Sequence, residues 1–261
     1  MNNDDFRYMR CGKQLSGLTR EEMTLLAPVN QCGSGSEKAL LLLHGFSSSP
    51  AVFRCLIPKI KQYDAIVSPV LQGHAESIES FSLSKAEDWR NTAIRTCETL
   101  FSKYTKVDVL GLSLGGLLAC ELSQSFPVNH LFLLAPALRL KINISIMLKL
   151  AQILKCLGFS QLRNNAGNLL TNEQAEIAYR NLPLTAIIEM LTLAQNYQWV
   201  APSCPIDLFL GTHDDVVDSA QVNELFKELP DTRIHWLKNS AHILPLDNDF
   251  NEIAECINNL E

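Results

Sequence analysis

Residues 38–43 read Lys-Ala-Leu-Leu-Leu-Leu, five consecutive apolar positions with no polar alternation. A strand with one wet face alternates with period two, so an unbroken apolar run of this length marks a strand buried on both faces. Such a strand needs helices on either side of it. Residues 131–134 repeat the unbroken run, and further strands are read at 107–110 and 206–210, each carrying one aspartate, and at 65–70 and 233–237. Between them lie helical signals. Ser49-Pro50 pairs a capping hydroxyl with a proline tolerated at a first helical position. Ser84 and Glu87 are spaced as a capping box, and Trp89, Ala93, Cys97, Leu100, Phe101 and Tyr104 then recur at helical spacing. Strands alternating with helices predict an α/β fold with a mostly parallel, doubly wound sheet and right-handed crossovers.

The alternation pauses over 138–200, which shows no strand pattern. Ile146, Leu150, Ile153, Leu154 and Leu157 instead predict one amphipathic helix, and residues 173–193 a second. This reads as a small helical cap inserted before the penultimate strand of a single domain spanning 1–261. The face formed by Met147, Leu150, Ile153, Leu154 and Leu157 either walls an acyl chain or packs on the core. Residues 1–37 have no clear period and end in a turn at 32–37.

The formal net charge is −6, and the 22 lysines and arginines are scattered rather than gathered into a phosphate-neutralising run, which argues against a nucleic-acid partner. No apolar stretch approaches the roughly 18 residues of a membrane span, and the mixed-charge first ten residues lack a signal-peptide pattern. A cytoplasmic protein is expected. The eight cysteines are dispersed without a CxxC, which favours buried free thiols over disulfides or a zinc site.

Gly111-Leu-Ser113-Leu-Gly115 matches G-x-S-x-G and sits directly between the strand at 107–110 and a following helix. A serine on so tight a turn is held in a strained conformation, which explains a glycine two residues away on each side. The turn also sets the serine at the positive end of a helix, where an oxyanion is favoured. A serine hydroxyl needs a base to take its proton, and with this motif the acid and then the histidine follow in the chain. His242, in Asn239-Ser-Ala-His242 after the last strand, is the candidate base. Gly211-Thr-His-Asp214-Asp215 follows the penultimate strand and supplies the acid, either Asp214 or Asp215, the other making an Asx turn or helix cap. The oxyanion donors are the amides of Leu114, after the serine, and Phe46, in His44-Gly45-Phe46 after the first buried strand. His44 and His74 read as structural hydrogen-bonding histidines, and His130, His213 and His235 carry no signal.

The segments LLLHGF (41–46), GHAES (73–77), GLSLGG (111–116), GTHDD (211–215) and SAH (240–242) together resemble the α/β-hydrolase superfamily, and within it the small bacterial carboxylesterases and monoacylglycerol lipases. The resemblance spans about residues 38–260. It implies Asp214 as the acid, Phe46 and Leu114 as oxyanion donors, and a lid over the acyl pocket at about 138–200. It further implies a serine hydrolase that cleaves carboxylic esters through an acyl-enzyme on Ser113, on short- to medium-chain or monoacylglycerol-like substrates, with no metal or organic cofactor. A lysophospholipase, thioesterase, amidase or carbon–carbon bond hydrolase with the same triad is the alternative, and a non-catalytic receptor or scaffold the more distant one. Lys141, Lys149, Lys155 and Arg163 allow at most transient contact with an anionic lipid surface.

Overall fold

The computed structural model describes residues 3–260. In chain order its elements are β1 (Phe6–Arg10), β2 (Lys13–Gly17), β3 (Val29–Cys32), β4 (Lys38–Leu43), β5 (Ala65–Ser68), α1 (Ile78–Leu83), α2 (Ala86–Phe101), β6 (Lys106–Leu112) and α3 (Leu114–Ser125). They continue with β7 (His130–Leu134), α4 (Ile144–Cys156), β8 (Gln161–Arg163), β9 (Glu176–Tyr179), β10 (Asn181–Pro183), α5 (Leu184–Asn196), β11 (Ile206–Gly211), α6 (Ser219–Phe226), β12 (Thr232–Leu237) and α7 (Phe250–Asn258).

The main sheet has the order β12-β11-β7-β6-β4-β5-β3. Every neighbouring pair in it is parallel except β3 with β5. The apolar runs divide between its two faces as strand alternation requires. Ala39, Leu41 and Leu43 of β4 pack with Val107, Val109, Leu131, Leu133, Leu208 and Leu210 under α1, α2, α3, α5 and α6. Leu40 and Leu42 pack on the opposite face with Leu110, Leu112, Phe132, Leu134 and Phe209, covered by Ile253, Ala254 and Ile257 of α7. Burying each such side chain is worth about 1.5–3 kcal/mol, so the unbroken leucine run is explained by a sheet dry on both sides.

Several local expectations are corrected. Ser49 does open a helical turn, its Oγ accepting the Ala51 N–H at 3.3 Å, but the turn is a 3-10 piece ending at Phe53. The α2 N-terminus is closed by Asp88, whose carboxylate accepts the Lys85 N–H at 2.8 Å. Ser84 instead accepts from the Trp89 indole and donates to the Phe81 carbonyl. The segment between β7 and β11 is not purely helical. It carries β8 and β10, paired with each other, and β9, which pairs with β1 in an antiparallel sheet of order β2-β1-β9. The helix expected over 173–193 therefore starts only at Leu184. All eight cysteines are free thiols, yet only Cys97 and Cys120 are buried.

Candidate active site

Ser113 is the single residue between the end of β6 and the start of α3, at φ 54° and ψ −114°. A positive φ at a residue with a Cβ costs on the order of 1–3 kcal/mol and persists only where the surroundings over-determine it. Here they do. The Ser113 N–H donates to the Leu134 carbonyl, and its own carbonyl accepts from the amides of Gly116, Leu117 and Ala137 at 2.9–3.1 Å. The flanking glycines are needed for space, since a Cβ on Gly111 would strike the Gly115 carbonyl and one on Gly115 the Leu43 carbonyl.

His242 and Asp214 meet from two loops at the carboxyl ends of β12 and β11. The His242 Nδ1–H donates to Asp214 Oδ2 at 2.8 Å. The other oxygen, Oδ1, accepts the amides of Val216 and Val217, both at 2.8 Å. The turn chemistry expected of the non-catalytic aspartate thus belongs to Asp214 itself, while Asp215 is exposed and accepts from the Asn168 side chain at 3.3 Å. Burial alone would raise the Asp214 carboxyl, but the His242 charge and hydrogen bond and the two amides outweigh it and hold the group below its ordinary value. For His242 burial works downward, and the opposing charges of Asp214 and Glu176 leave it raised. The histidine loop is pinned by carboxylates that no motif announced. Asp249 accepts from Asn239 and Ser240, and Asp247 from the amides of Ala241, Leu170 and Thr171.

Ser113 and His242 both line a cavity of about 460 Å³, with Gly45 and Phe46 on its rim. Gly45 lies so close to the serine that a Cβ on it would sit 3.4 Å from the Ser113 Cβ. Among the described residues, neither the Phe46 nor the Leu114 amide donates to a protein acceptor. Leu140, Met147, Leu162, Leu182, Ile187 and Met190 give the cavity an apolar wall. Of the five apolar side chains expected on that helix face, only Met147 reaches the cavity, and Leu150, Ile153 and Leu157 are exposed.

Sequence reasoning also missed Glu176, at the start of β9. Its side chain is buried in the cavity wall and accepts the Gly167 N–H at 2.8 Å. Burial raises its carboxyl above the ordinary value despite that amide, the His242 charge, the Ser48 hydroxyl and Arg54. The two structural histidines differ from each other. The His44 ring accepts the Leu71 N–H at Nε2 and donates from Nδ1 to the Gly45 carbonyl, and burial pushes its pKa down to about 4. The His74 ring, expected to hydrogen-bond, has no partner on either nitrogen among the described residues and packs against Phe46, Phe81 and Trp89. Away from the cavity, Asp207, His235 and Cys256 have donor atoms within 4.8 Å of one another. The Asp207 carboxylate is already filled by His130, His235 and Arg233 at 2.6–2.8 Å, so this trio is a poor metal cradle.

Comparison with known proteins agrees with this architecture. The model of the alpha/beta hydrolase family matches residues 40–255. A carboxylesterase of Bacillus subtilis (strain 168) is 22% identical over 87% of this chain and 93% of its own length. The thermostable monoacylglycerol lipase of Bacillus sp. (strain H-257) is 25% identical over 83% of this chain and 87% of its own. Among solved structures, one from work on the metagenome-derived lipolytic enzymes LipS and LipT superposes with a TM-score of 0.75 at 24% identity, covering 88% of this chain and 95% of that one. The Paleococcus ferrophilus monoacylglycerol lipase superposes at 0.66 and 18%, covering 89% and 98%. With the family's model matched along most of its length, the chain belongs to the alpha/beta hydrolase family.

Proposed function

We propose that the protein is a serine hydrolase of carboxylic esters, with Ser113 as nucleophile, His242 as general base and Asp214 as the acid that orients it. The observation that carries this reading is the convergence of the strained serine, the His242–Asp214 pair and Phe46 at one apolar cavity, with the acceptorless amide of Leu114 next to the serine. Because Nδ1 of His242 donates to Asp214, the Nε2 lone pair is left to take the serine proton. The serine oxygen attacks the ester carbonyl, and the oxyanion falls to the amides of Phe46 and Leu114. The imidazolium returns its proton to the departing alcohol, leaving an acyl-enzyme. The same histidine then activates water, which releases the acid and restores the serine. Removing one oxyanion donor costs about 100- to 1,000-fold in rate, so the orientation of Phe46 matters as much as the nucleophile's neighbours.

The apolar wall and the cavity's size favour acyl chains of short to medium length or a monoacylglycerol, in keeping with relatives named carboxylesterase and monoacylglycerol lipase. The test is hydrolysis of p-nitrophenyl esters from acetate to palmitate by the parent protein and by Ser113→Ala. Turnover with a short- to medium-chain optimum, lost in the variant, is expected. Equal turnover by Ser113→Ala would overturn the assignment of the nucleophile.

A further inference from the structure

Beyond Met147, the outer apolar face of α4 neither lines the cavity nor packs on the core. Ile146, Leu150, Ile153 and Leu157 follow one another along the helix at spacings of four, three and four, and are 62%, 45%, 56% and 70% exposed. Of the whole helix only Ala151 is buried. Phe159, 52% exposed, extends the stripe past the C-terminal end. Residues three and four apart share a helix face, so this is a continuous ridge turned to solvent. An apolar face left wet on a folded chain marks a contact surface.

Charge indicates what the ridge meets. Residues 122–172 contain five basic residues and no acidic one, so the formal charge of −6 is +5 in this segment and −11 in the rest of the chain. Lys149 flanks the ridge, with Lys141 before the helix and Lys155 in its last turn. Among the described residues, Lys149, Lys155 and Arg163 make no ion pair, and Lys141 runs beside the Asp218 carboxylate without closing one. A ridge of large aliphatic side chains with Lys149 at its edge, inside a segment of charge +5, fits the boundary of an anionic bilayer, where the apolar groups enter the acyl region and basic side chains meet phosphates. A second copy of the chain, docked ridge to ridge, would instead bring two +5 segments together. Ile142 and Met147 stand on both surfaces, exposed and lining the cavity, so the ridge leads to the cavity mouth.

We infer that the α4 ridge docks this protein on bilayers containing anionic lipid. The inference goes beyond the esterase reading and does not rest on it, so Ser113→Ala protein serves as well as the parent in its test. Full-length protein is sedimented with vesicles of phosphatidylcholine alone and of equal parts phosphatidylcholine and phosphatidylglycerol, at low and high salt. Expected is binding to the anionic vesicles about tenfold or more tighter than to the neutral ones, weakening as salt rises. An Ile146→Ser, Leu150→Ser, Ile153→Ser variant and a Lys149→Ala, Lys155→Ala variant should each lose about tenfold in anionic-vesicle binding. Both keep the parent's circular dichroism and melting temperature, because the altered side chains are exposed. No binding to anionic vesicles, or binding indifferent to both variants, overturns the inference. So does a dimer in analytical ultracentrifugation that the serine variant dissociates while vesicle binding is absent.

Discussion

His242 stands between two carboxylates, and their difference governs its titration. Asp214 is bonded to it at 2.8 Å, whereas Glu176 acts through its charge from the cavity wall. In the proposed mechanism only the neutral imidazole accepts the serine proton, so kcat/KM rises as pH passes the free-enzyme pKa of His242. A nearby negative charge favours the imidazolium and raises that pKa. Replacing Glu176 by Gln keeps an oxygen for the Gly167 N–H and removes the charge. The His242 pKa then falls, and the acid limb of the kcat/KM profile moves to lower pH. The alkaline plateau should change far less than after Asp214→Asn, for which an Asp-to-Asn change in a comparable triad costs about 10⁴-fold. A pH–rate profile of Glu176→Gln with a soluble ester decides the matter. An unmoved limb, or one moved to higher pH, would show that Glu176 does not act on the base.

At the level of elements, the serine turn works as a three-way junction in which β6, α3 and the end of β4 touch through glycine. Gly115→Ala would push the first turn of α3 off the Leu43 carbonyl, shifting both Ser113 and the Leu114 amide. Displacement of that donor alone is expected to cost about 100-fold or more in kcat. Gly17→Ala, where the new Cβ would meet only the Arg7 side chain at 3.6 Å, should leave activity intact. Measuring kcat for both, with circular dichroism to verify folding, tests whether the junction is as tight as its geometry implies; full activity in Gly115→Ala would show that it is not. These elements were also the legible ones. β4 and β7 announce themselves by apolar runs that burial on both faces explains, β6 and β11 do so with one aspartate each, and the G-x-S-x-G turn needs its glycines for space. β8 and β10 are three residues long, too short for a period to show. β9 is four residues reading Glu-Ile-Ala-Tyr, all buried and too few to show a period, and Pro183, which stands just before α5, is the local sign that the helix expected over 173–193 breaks there. Glu176 was invisible too. An acid at the start of a strand that pairs with β1, well over a hundred residues away, gives no local sign of being buried.

For the molecule as a whole, the loops that carry Asp214 and His242 at the carboxyl ends of the strands depend on β7, β11, β12 and α7 holding register, and one buried carboxylate ties these four together. Asp207 of β11 is fully buried and accepts from His130 of β7 and from Arg233 and His235 of β12, while Cys256 of α7 approaches His235 at 3.9 Å. Burial would raise its carboxyl, but the donors from His130, His235 and Arg233 outweigh that penalty and hold it far below the usual carboxylate range. A carboxyl depressed in the folded state contributes stability that is complete above its unfolded pKa, about 3.9, and is lost as pH falls toward the folded value. Asp207→Asn removes the charge and turns an amide NH₂ toward groups that are themselves donors. At pH 7 the variant should unfold with about 1.5–3 kcal/mol less free energy than the parent, since hydrogen bonds to a buried charged group are lost, the ion pair with the exposed Arg233 adding little. The gap should narrow progressively below about pH 4, where the parent begins to lose the same contribution. Urea unfolding of both proteins at pH 7 and pH 3 measures it directly. A gap that is small at pH 7, or equally wide at pH 3, would mean that the four elements are held by their apolar faces alone. None of the four residues at the centre of this cluster lines the cavity, so the folded variant should retain the parent's turnover of a soluble ester.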